Sequence, residues 1–182
     1  MLRRFTPSLF FALISAIFFL PVIFGGKTFF PFDYMFQWPP WSGLGENIVV
    51  NNTLLSDPIL GFYPPHFYIS HYYYQSGLAS GTIPLWFYLN FCGTFFIPYS
   101  SPVAYFFYSL FPLTVGHDGL LMLHLFGTGS ITYLYLRQVD ISRLASVIGG
   151  ICWMFNGYVM VWFEFEHVPM LAATLPLTLL FL

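Results

Sequence analysis

The apolar positions of this chain fall in long unbroken stretches instead of alternating with polar ones. Three stretches hold about the 20 residues that a helix rising 1.5 Å per residue needs to cross a hydrocarbon core of about 30 Å. They are Ser8 to Gly26 (SLFFALISAIFFLPVIFGG), Asp118 to Leu136 (DGLLMLHLFGTGSITYLYL) and Leu144 to Trp162 (LASVIGGICWMFNGYVMVW). A fourth apolar run opens at Val168 and continues to Leu182. Residues 8–26, 118–136 and 144–162 are therefore expected as membrane helices, with 168–182 as the start of another. The first run has no small-x-small cleavage site followed by polar sequence, which argues for an anchor over a removable signal. Its counterpart at the other end, LPLTLLFL (Leu175 to Leu182), has no polar cap or basic flank, so the chain is expected to be the amino-terminal part of a longer protein.

The polar positions orient these helices. Arg3 and Arg4 precede the first, and the turn RQVDISR carries Arg137 and Arg143 between the next two. Four of the five basic residues then share one side, which the positive-inside rule makes cytoplasmic. Lys27 lies opposite, with six of the seven acids: Asp33, Glu46, Asp57, Asp118, Glu164 and Glu166. A spanning helix at Ser101 to Val115 would invert everything after it. At 15 residues it reaches only about 22 Å, and Pro102 and Pro112 shorten it further, so a re-entrant or interfacial segment is expected there. Residues 27–117 are accordingly read as one long outer loop of short interfacial helices, rich in aromatic clusters such as FYPPHFYISHYYY, Phe62 to Tyr74.

Composition makes the membrane assignment firm. Only 7% of the residues are charged, against 58% hydrophobic and 23% aromatic. A soluble domain carries roughly a quarter charged residues and could not cover its surface with so few. Five Lys and Arg with a net charge of −2 leave no basic patch, which argues against nucleic acid as a partner. Cys92 and Cys152 fit neither a disulfide framework nor a metal cluster, so no metal-ligating residues are assigned. The expected fold class is all-α: a multi-pass transmembrane helix bundle with a long outer loop.

Candidate chemistry is confined to a few side chains. Asp57, in S-D-P, is a good helix N-cap with Pro at the first helical position, and equally a carboxylate able to act as a base. Asp33, among the aromatics of FFPFDYMFQWPP just beyond the first helix, is either a solvated loop acid or a second candidate base. Glu164, Glu166 and His167 (FEFEH) end the 144–162 region. Their plain reading is a polar helix end. Their functional reading is carboxylates offered to a divalent cation, Mg or Mn, and an imidazole for a donor phosphate. Two residues apart on a helix, the glutamates would point to different sides and could not serve one site. Trp86 suits a sugar-stacking platform or an interfacial anchor. His66 and His71, five apart, are mis-spaced for one helical face and read as interfacial. His124, inside a membrane helix, reads as a neutral imidazole bonded to a neighbouring helix. Gly127, Gly129, Gly149 and Gly150 read as sites of close helix packing.

The order of motifs in the loop carries a resemblance. SDPILGFYP (Ser56 to Pro64) is followed by LASGTIPLWFYLNFCGTFF (Leu78 to Phe96) and SSPVAYFFYSLFPL (Ser100 to Leu113), and later by LYLRQVDISRLASVIGGICWMFNGY with His167 and LPLTLL. This resembles the YfhO-like family of bacterial multi-pass membrane proteins, grouped with the C-type glycosyltransferases (GT-C). Asp57, Pro64, Gly81, Pro84, Leu85, Trp86 and Gly93 occupy the family's positions. The chain departs from the pattern at Phe87-Tyr88, where the family tends to have Asn-Pro, and at Phe95, where it has Pro. The resemblance implies a GT-C-like enzyme that moves a sugar from a polyprenyl-phosphate donor to a cell-wall polymer or lipid on the outer face of the cell membrane. It also implies a base, Asp57 or Asp33, standing at the headgroup plane where the lipid-held phosphosugar bond must lie. The competing expectations are a non-enzymatic membrane protein, such as a transporter or assembly subunit, and an inactive truncated product.

Overall fold

A computed structural model of the chain describes residues 2–31, 39, 63–88, 92–97 and 101–182. Asp33, Glu46 and Asp57 lie outside the described residues. The described chain is mostly helical, in the order α1 (Leu2–Phe18), α2 (Leu20–Ile23), α3 (Tyr63–Ala79), β1 (Trp86–Phe87), β2 (Thr94–Phe95), α4 (Pro102–Leu110), α5 (Leu113–Gln138), α6 (Arg143–Met154), α7 (Gly157–Val161) and α8 (His167–Leu180). It divides into two compact units, one of residues 1–29 with 117–182 and one of residues 30–116.

Among the described residues, two helical stretches are long and apolar enough to cross a membrane, Leu113–Gln138 and Arg143–Val161. The first, at 26 residues, extends about 39 Å. It starts five residues before the expected 118, because Pro112 forces Phe111 into an extended conformation (φ −120°, ψ 152°) and the helix begins immediately after. The second is interrupted at Phe155 and Asn156. There the Asn156 side chain accepts a hydrogen bond from Val159 N–H (3.0 Å) and caps α7 as a fresh start. The expected first span, 8–26, is likewise interrupted. Pro21 brings no N–H and crowds the turn before it, and the chain leaves the helix at Phe19 before resuming as the four-residue α2.

In the helical unit, Phe11, Phe19, Leu121, Leu125, Met154, Val159, Phe163 and Ala172 form the core. Small residues admit one wedge into it. A methyl group on Gly150 would stand 2.7 Å from the Phe11 ring and 2.9 Å from the carbonyl oxygen of Gly129, and one on Gly129 would stand 2.3 Å from Met154 Sδ. Of the four glycines read as packing sites, Gly129 and Gly150 thus bring α1, α5 and α6 together around Phe11. Gly149 faces Leu136, and Gly127 meets only ordinary contacts. His124 is buried, but among the described residues its Nδ1 meets no hydrogen-bond partner, so the expected bond to a neighbouring helix is not formed by that atom.

The second unit adds a short hairpin to the mostly helical chain. β1 and β2 pair antiparallel, Trp86 opposite Phe95 and Phe87 opposite Thr94. Aromatic and β-branched residues favour this pleated pairing, and Gly93 (φ 116°), in the turn before β2, adopts a backbone conformation closed to residues with a Cβ. Helix α4 is capped by Ser101, whose Oγ accepts from Ala104 N–H (3.1 Å), with Pro102 at its first position. At nine residues it extends about 14 Å, less than half a bilayer core. Its Tyr108 is fully buried against Phe67 (ring centroids 5.3 Å apart) and His71 (5.5 Å).

Candidate functional site

In the helical unit, chemistry gathers where three segments meet. Asp118, one turn into α5, is buried; its Oδ1 accepts a hydrogen bond from Phe29 N–H (2.9 Å) and its carboxyl is also bonded by the Thr28 side chain. Beside it His117, fully buried, hydrogen-bonds the backbone of Glu164. These two neighbours therefore tie the chain leaving α2 and the turn between α7 and α8 to the first third of α5. An aromatic layer underlies the ties: Phe29 stacks on Phe18 (5.7 Å, 9°) and meets Phe163 edge-on (5.3 Å, 76°).

The FEFEH residues do not converge. The expectation set Glu164 and Glu166 at a helix end, whereas they occupy the turn before α8, with Glu166 as the residue preceding it. Glu166 is buried, Glu164 half-buried and His167 exposed against the Phe165 ring (5.7 Å). Phe163, Phe165 and Glu166 are the buried members of this stretch. Among the described residues no three His, Cys, Asp or Glu side chains are grouped to hold a metal ion. The same unit carries an apolar groove of about 590 Å³ walled by Trp153, Val159, Leu171 and Leu175.

In the second unit the hairpin presents Trp86. Trp86 is 57% exposed, with its indole against Gly93 and its backbone held by Tyr73. Behind it Gly93 approaches so closely that a methyl group there would lie 2.6 Å from Nε1, and its carbonyl accepts the Tyr73 hydroxyl (2.9 Å). Tyr73 in turn packs on Phe87, Tyr88 and Phe96 with ring centroids 5.2–5.4 Å apart. Next to this cluster opens a cleft of about 460 Å³, lined by Tyr68, Tyr72, Ser76, Ser80, Thr82 and Tyr88, among others. Apart from Tyr88, these residues had not been singled out individually. The signal was present: Tyr68, Tyr72, Ser76 and Ser80 recur every fourth residue and so form one row along α3 and its end.

His71 supports the cleft helix from within. It is buried within the unit, and burial pushes its imidazole down from about 6.5 to about 4. Between those values the unfolded chain takes up a proton that the folded one refuses, so the stability of this unit is full above pH 6.5 and declines as pH falls toward 4. Thermal unfolding followed by circular dichroism should show a lower midpoint at pH 4.5 than at pH 7.5, and His71→Phe should flatten that difference. An unchanged midpoint in the parent chain would contradict the assignment.

The candidate bases Asp33 and Asp57 lie outside the described residues, so the structure neither joins them to Trp86 nor separates them from it. No protein-family model matches the chain, and no curated protein or solved structure matches it.

Proposed function

We propose that the chain acts as a membrane glycosyltransferase of the YfhO-like, GT-C kind, passing a sugar from a polyprenyl phosphate to a cell-envelope acceptor. In this reading the protein is multi-pass, the amino terminus is cytoplasmic, and residues 27–117 face outward with Asp57 or Asp33 as the base. The observation that carries the proposal is Trp86. An exposed indole lying against Gly93, on a residue whose backbone carbonyl accepts the Tyr73 hydroxyl, offers a flat platform, and a pyranose presents an apolar C–H face to such a surface. The apolar groove beside Trp153 supports a donor whose isoprenoid tail stays among membrane helices.

The experiment is transfer of radiolabelled sugar from a polyprenyl-phosphate donor in nanodiscs holding the protein and a cell-envelope glycan acceptor. Label should appear in the acceptor fraction. Donor that survives unconsumed, while solute uptake into proteoliposomes depends on the protein, would replace this proposal with a transporter.

A further inference from the structure

We infer that the cleft on the helix–hairpin unit binds uncharged carbohydrate. Tyr68 and Tyr72 lie one turn apart along α3, and Tyr88 follows β1; the three rings are 42%, 66% and 62% exposed, so the cleft presents flat apolar surfaces. Its serine and threonine hydroxyls bond the backbone. Ser76 Oγ donates to the Tyr72 carbonyl (2.8 Å), Ser80 Oγ to the Gly77 carbonyl (2.8 Å), and Thr82 Oγ1 to the same carbonyl (3.3 Å). Ser76 Oγ, its proton committed to the backbone, has lone pairs to offer, while Ser80 Oγ and Thr82 Oγ1 also share a hydrogen bond (3.1 Å) in which either can donate. No charged side chain and no histidine is among the cleft's described lining residues.

Ligand classes separate on that chemistry. A phosphate or carboxylate requires donors and positive charge, and a metal ion requires carboxylates. The cleft has hydroxyl donors on its tyrosines but, among its described lining residues, neither positive charge nor a carboxylate. A neutral sugar matches both features, with C–H faces for the tyrosine rings and O–H groups for the acceptor oxygens, and about 460 Å³ lies within the usual range of small-molecule sites, about 300–1,000 Å³. If the transferase reading holds, the cleft takes the acceptor glycan, because the donor sugar is joined to a phosphate that this lining cannot receive. That role rests on the preceding proposal; the binding itself does not.

Saturation-transfer NMR on the protein in nanodiscs tests the inference, with maltotriose, cellotriose and tri-N-acetylchitotriose as neutral probes and trigalacturonate as the charged one. At least one neutral probe should give signal and trigalacturonate none. Tyr72→Ala should weaken binding about tenfold, while Tyr72→Phe, which keeps the ring, stays near the parent affinity. Ser76→Ala should weaken it by removing an acceptor. Both side chains are exposed, and circular dichroism checks that the variants are folded. Silence from all neutral probes, equal binding of trigalacturonate, or unchanged binding by Tyr72→Ala overturns the inference. Sugar binding without any transfer leaves the cleft standing and removes the transferase; transfer with unaltered acceptor KM in Tyr72→Ala does the reverse.

Discussion

Asp57→Asn is expected to lower sugar transfer by about 10²–10⁴-fold, the usual contribution of a positioned general base. The substitution is chosen because it separates the two roles that S-D-P can play. Asn caps a helix about as well as Asp, so a residue that only starts a helix tolerates the change. A base does not, since an amide cannot accept the proton released when the acceptor hydroxyl attacks the anomeric carbon. Asp33→Asn is the parallel variant, and whichever of the two abolishes turnover identifies the base. Transfer at the original rate in both variants would show that neither carboxylate does the chemistry. Asp57→Ala adds a control: if capping also operates, it should cost about 1 kcal/mol of stability beyond the Asn variant.

Asp118→Ala is expected to loosen the junction of the helical unit by about 2–3 kcal/mol. The carboxyl is buried and holds both Phe29 N–H and the Thr28 side chain. Removing it leaves the half-buried Phe29 N–H without its acceptor, and an unsatisfied donor of that kind costs about 1–3 kcal/mol, while the exposed Thr28 can turn to water. The readout is amide exchange at Phe29, which should accelerate roughly 30–150-fold if the local opening free energy falls by that amount. Asp118→Asn keeps an acceptor for Phe29 N–H and should lose less. Exchange at Phe29 that does not respond to Asp118→Ala would mean that this bond does not hold the segment after α2.

Residue patterns revealed much of this architecture where local chemistry decides it, and little where distant segments meet. Hydrophobic length located the helices at 113–138 and 143–161, because lipid-compatible runs need no tertiary context. The breaks at Phe19 and Asn156 had visible causes, Pro21 and the Asn-Gly pair, but run length alone passes over them. The two-residue strands are not legible in the sequence, since paired aromatics such as Trp86 and Phe87 fit a membrane-surface helix as well as a hairpin; the turn around Gly93 decides between them. The Asp118 junction pairs residues 89 positions apart, a relation that no window of sequence displays. Trp86 is legible as a platform candidate, but the approach of Gly93 to its indole and the Tyr73 bond to its backbone carbonyl are not.

The Phe11 wedge also sets a schedule for biogenesis. Its notch is completed by Gly150, about 140 residues downstream, and a ribosome working at about 5–20 residues per second needs roughly 7–28 s to supply it. Throughout that interval the first helix is already made while the surface that receives Phe11 does not yet exist. Residues 30–116, contiguous in the chain, are complete well before then. The segment bearing Trp86 and the tyrosine cleft can therefore acquire its structure first, and the helical unit closes only when α6 arrives.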